Sequence, residues 1–191
     1  AGIYVYGRNI SDDVSGGDGY ALPKGNHYIS SISIRNNTII TAGDGITVTD
    51  ARNCEIAENS IKGAKFSKQD PYAKHRDGIR IDKNSSDISI TGNSIKNMSR
   101  NGIVVYEQSS LSNIVNNNIK NCSKSGIRLT EHSSCTNDIT NNIIKKCASG
   151  GLVVENNSMV SDIIGNIISA VSGNPAVKIN NMSTARYINS N

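Results

Sequence analysis

The chain has 191 residues, a net charge of +4, 36% hydrophobic residues, one Phe and no Trp. Its apolar residues come in short bursts, and no run is long enough for a membrane-spanning helix, so a single domain with no membrane insertion is expected. The excess of positive charge agrees with an acidic partner; nucleic acid is disfavoured, because no nucleic-acid-binding motif and no aromatic stacking platform accompany the basic residues.

In chain order, the first element is a strand, Gly2-Ile3-Tyr4-Val5-Tyr6, with inward and outward residues alternating. It stands at the start of the chain with nothing before it to cap it, and the chain stops as abruptly after Ile188. A solenoid with bare ends exposes unpaired strand edges, so a flanking domain or self-association at those ends is expected, with any export signal outside this sequence.

After a long connection comes Asn37-Thr38-Ile39, the first of six asparagines placed two residues before an isoleucine: Asn37, Asn59, Asn93, Asn117, Asn142 and Asn166, with Asn191 in step. A second series keeps the same register: Gly2-Ile3, Gly45-Ile46, Gly78-Ile79, Gly102-Ile103, Gly126-Ile127, Gly151-Leu152 and Ala176-Val177. The repeat unit is about 24 residues. Runs such as Ile79-Arg80-Ile81-Asp82 and Ile127-Arg128-Leu129-Thr130 have the period of two of half-buried strands, and nothing sustains a helical period.

A unit this short, made only of strands, coils upward so that each strand pairs with its equivalent in the next unit. The predicted fold is all-β, a single-stranded right-handed parallel β-helix of about seven coils, forming one domain over residues 1–191. Ile46, Ile79, Ile103, Ile127 and Leu152 are expected to stack in one apolar column, and Ile56, Ile90, Ile114, Ile139 and Ile163 in another. Asparagine tolerates a left-handed turn, and its amide can donate to one neighbour in a stack while accepting from the other, which gives the Asn series a structural purpose. Cys122 and Cys147 fall at the phase of Met98 and Val171, as members of a buried column whose one-coil separation also permits a disulfide. Cys54 and Cys135 match neither each other's phase nor a zinc-ligand spacing.

On Ile90-Thr91-Gly92-Asn93-Ser94-Ile95 and Ile114-Val115-Asn116-Asn117-Asn118-Ile119, the sequence resembles the right-handed β-helix repeats of the pectate-lyase-like superfamily. The resemblance covers nearly the whole chain and implies the fold, not an activity.

The repeat is broken twice, by insertions at about 7–28 and 64–76, at opposite ends of the Gly-Ile strands of the first three coils. They are expected to wall a groove whose floor is the outward residues Tyr4 and Tyr6, Thr47 and Thr49, Arg80 and Asp82, Val104 and Tyr106, Arg128 and Thr130. Tyrosines, arginines and a carboxylate suit an acidic sugar chain, although the same residues are ordinary on a solvated strand face. His27 closes the first insertion and would line the groove, whereas His132 belongs to a turn.

The second insertion carries Lys65, Lys68, Asp70, Pro71, Tyr72, Lys74, His75, Arg76 and Asp77, running into Gly78 and Arg80. β-Elimination or C5 epimerisation of a uronate needs a cation to neutralise the carboxylate, a base for the C5 proton and an acid to return a proton. Arg80 or Arg76 suits the first role, His75 or Lys74 the second and Tyr72 the third. Asp77 and Asp82 complete the catalytic candidates, with Tyr4, Tyr6, Arg76, Tyr106 and Arg128 as substrate-binding candidates.

Two further likenesses touch this stretch. Asp70-Pro71 resembles the Asp-Pro-His of mannuronan C5-epimerases, with Tyr72 where that family has His. His75-Arg76-Asp77-Gly78 is similar to the Asn-Thr-Asp-Gly of polygalacturonases, which implies a catalytic carboxylate at Asp77. The next coil, however, reads Arg100-Asn101-Gly102-Ile103 without paired aspartates, and no Gly-His-Gly occurs, so inverting hydrolysis is disfavoured. Asp44-Gly45 and Asn101-Gly102 share the phase of Asp77-Gly78, so an Asx-Gly turn is the simpler explanation of that motif. Asp44 and Asp77 in adjacent coils would also permit a shared Ca2+ ion; otherwise no cofactor is implied.

Lys62, Lys96, Lys120 and Lys145 follow the Asn-x-Ile motif at one phase and should form an outward column of positive charge. Two function classes stay open. One is a secreted or cell-surface enzyme acting on an acidic polysaccharide, by lyase or epimerase chemistry sooner than as a glycoside hydrolase. The other is a non-catalytic polysaccharide-binding or spacer module of a surface, phage-tail or secreted protein.

Overall fold

The computed structural model describes residues 2–6, 29–64, 77–169 and 174–189. The 7–28 insertion and residues 65–76 of the second one lie outside them, as does Asn191. The described residues form three parallel sheets and no helix. Sheet A contains Ile3–Tyr6, Ile46–Thr49, Ile79–Asp82, Ile103–Val105, Ser125–Leu129, Gly150–Val154 and Val177–Ile179. Sheet B contains Ile29–Arg35, Ala51–Ala57, Ser86–Thr91, Ser110–Val115, Ser134–Thr140, Met159–Ile164 and Thr184–Asn189. Sheet C contains Thr38–Thr41, Ser60–Gly63, Ser94–Lys96, Asn118–Cys122, Ile143–Cys147 and Ile167–Ser169.

The chain visits A, B and C in rotation, so every strand pairs with its equivalents one coil before and after. Seven strands in A and B and six in C make six complete coils and two strands of a seventh, a little less than the seven coils expected.

The interior is a set of stacked aliphatics. Ile46, Ile79, Ile103, Ile127 and Leu152 are register partners in sheet A with no exposed surface. Ile56, Ile90, Ile114, Ile139 and Ile163 form the sheet B column, and Ile61, Ile95, Ile119, Ile144 and Ile168 that of sheet C. Sheet B is less regular than the others: its register shifts between Leu111 and Asn113 and again between Cys135 and Asp138, as bulges do.

Two ladders hold the coils together. In the first, the backbone N–H and the side-chain amide of each asparagine both donate to Oδ1 of the next, at 2.9–3.0 Å, from Asn37 through Asn59, Asn93, Asn117 and Asn142 to Asn166. The same amide also reaches back to a carbonyl of the preceding coil, as from Asn117 to Ile90 at 3.0 Å, so one side chain stitches three coils. The left-handed position is not the ladder asparagine, as the sequence suggested, but the residue before it: Asn36, Glu58, Gly92, Asn116, Asn141 and Gly165 all have positive φ. That residue turns the chain so that the asparagine itself can point inward with ordinary backbone angles.

The glycines of the second series answer a different need. A Cβ on Gly102 would lie 2.4 Å from Cγ2 of Ile119 and 2.6 Å from the carbonyl oxygen of Gly126, and Gly45, Gly78, Gly126 and Gly151 are in the same position. Here the backbone of sheet A approaches the isoleucine column of sheet C too closely for any side chain.

Met98, Cys122 and Cys147 form a buried column as read from the sequence, Val171 lying outside the described residues, and all four cysteines are free thiols. Cys122 and Cys147 are register partners, and the Cys122 thiol is pushed well up by its hydrogen bond to Cys147 and by burial.

Candidate functional site

The floor residues sit as alternation requires. Tyr4 pairs with Thr47, Thr47 with Arg80, Arg80 with Val104 and Val104 with Arg128 along one row of sheet A. Tyr6, Thr49 and Asp82 form the next row, and Tyr106 continues it, its N–H bonded to the carbonyl of Ile81.

Across the first three coils this face holds an open cleft of about 450 Å³, lined by Gly2, Ile3, Tyr4, Gly43, Asp44, Thr47, Thr49, Arg80, Asp82 and Lys83. At one side the rings of Tyr4 and Tyr6 stack with centroids 6.0 Å apart and planes 13° from parallel, and both rings are exposed. Such a pair offers an apolar plate with polar rims, the surface on which a pyranose ring can lie. Lys83 Nζ hangs 5.8 Å from the centroid of the Tyr6 ring.

The middle of the site is an ordered polar group. Arg80 Nε donates to Asp82 Oδ2 at 2.8 Å, while the hydroxyl of Thr49 donates to Oδ1 of the same carboxylate. The Arg80 guanidinium also lies over the ring of Tyr106, 4.5 Å from its centroid. Asp82 is 3% exposed although it is on the outer face, and both its oxygens are engaged. The carboxylate thereby fixes the planar guanidinium of Arg80 through its Nε.

Arg128 is placed on the same row two coils further on, where it pairs with Glu155. It belongs to the face but not to the cleft.

Asp77 is not on the floor. It is fully buried in the turn before sheet A, where its N–H donates to Asp44 Oδ1 at 2.7 Å and its own Oδ1 accepts from the N–H and the amide of Asn101 at 2.8 and 2.9 Å. Asn101 Oδ1 in turn accepts from the N–H of Ser125 at 3.1 Å. The Asp-Gly motif is therefore a second Asx ladder, in which Asp77 Oδ1 serves as a rung. Its Oδ2 makes no hydrogen bond but lies 3.9 Å from the Arg100 guanidinium.

The same geometry does not fit Ca2+ at Asp44 and Asp77. Calcium takes six or more oxygens, whereas each of these carboxylates spends one on a backbone N–H and a cation already stands beside the other oxygen of Asp77. Among the described residues no group of three His, Cys, Asp or Glu side chains is arranged to hold a metal ion. Tyr72, Lys74, His75 and Arg76 lie outside the described residues, as do Asp70, Pro71 and His27.

Lys83 was missed by the sequence reading. It and Asn84 have φ of 51° and 56°, a two-residue left-handed turn that Ser85 closes by donating its hydroxyl to the carbonyl of Asp82 at 2.6 Å. The turn recurs at Glu107-Gln108, Glu131-His132, Asn156-Asn157 and Asn181-Met182, each followed by a serine. That serine phase was a readable signal for the turn, and the turn is what carries Lys83 over the cleft.

A parallel solenoid with an asparagine ladder and an elaborated face over its first coils defines the class. Residues 24–191 match the model of the right-handed β-helix region, and the chain belongs to that family. No curated protein and no solved structure matches it significantly.

Proposed function

We propose that the protein is a carbohydrate-active β-helix domain that binds an acidic polysaccharide across the first three coils of sheet A. The observation that carries this reading is the cleft in which the stacked Tyr4 and Tyr6 rings stand beside the two cations Arg80 and Lys83. Sugar C–H faces rest on the tyrosines, and the uronate carboxylate meets Arg80 or Lys83. Such a substrate belongs to a secreted or cell-surface protein.

The chemistry that fits is β-elimination or C5 epimerisation. Neutralising the carboxylate acidifies the C5 proton. In elimination the C–H pair becomes the C4=C5 double bond, the C4–O bond breaks, and the leaving oxygen takes a proton; in epimerisation the proton returns to C5 on the other face. Arg80, fixed by Asp82, suits the neutralising role. Around the described cleft the candidates for proton exchange include the Tyr4 and Tyr6 phenols and the Lys83 amine, to which Tyr72, Lys74 and His75 of the second insertion are added.

One observation favours a second reading, a non-catalytic binding or spacer module: the described carboxylates Asp77 and Asp82 are both committed to structural bonds. The same commitment weighs against a glycoside hydrolase, which needs two carboxyl groups free to flank the bond.

The test is near-ultraviolet absorbance of unsaturated uronate during incubation with alginate, pectate or hyaluronan, together with proton exchange at C5 by NMR and calorimetric binding. Elimination or exchange that is lost in Lys83→Gln or Tyr4→Ala supports the enzyme. Binding without either supports the module. Absence of all three for every acidic glycan rejects the proposal.

A further inference from the structure

Sheet C presents a different side of the solenoid from the cleft. Lys62, Lys96, Lys120 and Lys145 are register partners on four successive strands, and all four are exposed. They stack one coil apart, about 4.8 Å. No strand of sheet C contains an Asp or Glu. The ion pairs among the described residues all use arginine, as in Arg35 with Glu55, Arg128 with Glu155 and Arg186 with Asp162, and none involves these lysines. One residue further along, the exposed amide of Asn121 donates to Asn97 at 3.0 Å, and Lys146 directly follows Lys145 on its strand.

Four like charges in single file repel one another, and nothing on the sheet relieves them. A ligand with negative charges at the same pitch does. We propose that sheet C is a second binding face, on which one linear acidic polysaccharide lies along the solenoid axis with about one anionic sugar per coil. The pitch of one coil is close to the advance of one 1,4-linked pyranose along an extended glycan. Sheet C strands carry no aromatic side chain on which a nucleobase could stack, which separates this ligand from a single-stranded nucleic acid. The polymer's identity rests on the acidic-glycan reading of the cleft, but the lysine file does not depend on the cleft itself.

The experiment is calorimetric titration of polygalacturonate and alginate oligomers of graded length, at two salt concentrations, into the wild-type protein, Lys96→Gln/Lys120→Gln and the cleft variant Tyr4→Ala/Lys83→Gln. Exposed lysines changed to glutamine leave the fold intact, which thermal unfolding verifies. The lysine variant is expected to bind longer oligomers about tenfold more weakly at low salt, with a smaller salt dependence and one fewer chain bound per protein. Turnover of short oligomers, if the cleft is catalytic, stays unchanged. In the cleft variant the sheet C event persists, so a failure of the cleft reading leaves this one measurable. Undiminished binding by the lysine variant overturns the proposal, as does equal binding of a neutral glycan, or tighter binding of duplex DNA or of phosphatidylserine vesicles.

Discussion

Asp77 accepts two hydrogen bonds on a single oxygen from Asn101 of the next coil, at 2.8 Å from its N–H and 2.9 Å from its amide. A carboxylate in that position works as a rung, and only one of its oxygens is needed for the purpose. Asp77→Asn retains that acceptor and should change stability by less than about 1 kcal/mol, whereas Asp77→Ala leaves the Asn101 N–H unpaired and should cost about 2 kcal/mol in urea unfolding. Loss of glycan turnover in a fully stable Asp77→Asn protein would show that Asp77 does more than hold the ladder.

Asn117 sits mid-ladder, 1% exposed, donating to Asn142 Oδ1, Ile90 O and Val115 O while accepting from Asn93. Replacement by alanine strands several buried groups at once, so Asn117→Ala should cost about 3 kcal/mol or more. Asn37, at the half-buried end of the ladder, should cost about 1 kcal/mol when changed the same way. Equal losses at the two positions would mean that the ladder's burial is not what gives it strength.

Gly102→Ala tests the close approach of sheets A and C. Its new methyl group would have to displace Ile119 Cγ2 and the carbonyl of Gly126 together, and the carbonyl belongs to a paired strand that cannot yield alone. Overpacking of this kind should cost about 2–3 kcal/mol. Combining it with Ile119→Ala removes Cγ2 but not the backbone clash, so Gly102→Ala should still destabilise the Ile119→Ala protein, by less than it does the wild type; no loss at all on that background in chemical unfolding would show that the isoleucine alone sets the requirement.

The Cys135 thiol is pushed up from its ordinary 9.0 to about 12, first by burial and then by the charge of Asp138. The folded state thus holds this proton more tightly than the unfolded chain does. Its contribution is complete below pH 9.0 and is lost as the pH rises toward about 12. Cys135→Ala should be less stable at neutral pH because a buried sulfur is deleted, yet its stability should fall less steeply than that of the wild type above pH 9.0. Parallel pH profiles for the two proteins would contradict the assigned burial effect.

The fold was legible because a solenoid writes its contacts as identity: Ile79, Ile103 and Ile127 touch because they are one unit apart, and the interval between them is visible in the chain. The Asp44, Asp77 and Asn101 ladder was legible for the same reason, since all three precede a glycine at one phase. The site was less so. Arg80, Asp82, Tyr4 and Tyr6 were placed on one face by alternation, but alternation says nothing of whether Asp82 is free or tied to Thr49 and Arg80. Lys83 was passed over because it lies in a turn, and its direction depends on two left-handed residues that the periodicity of strands does not encode.

The asparagine ladder has a direction. From rung to rung, each asparagine from Asn37 to Asn142 donates to Oδ1 of the asparagine in the later coil, without a reversal. A coil spliced between two others therefore finds a donor on one side and an acceptor on the other, whichever neighbours it meets. Duplication of the Asn117 to Asn141 unit would lengthen the protein by about one strand spacing, roughly 4.8 Å, while leaving its other rungs unaltered. Length in this architecture is an inheritable dial, turned in whole steps by gene duplication, and any ligand read along the axis would gain or lose one contact per step.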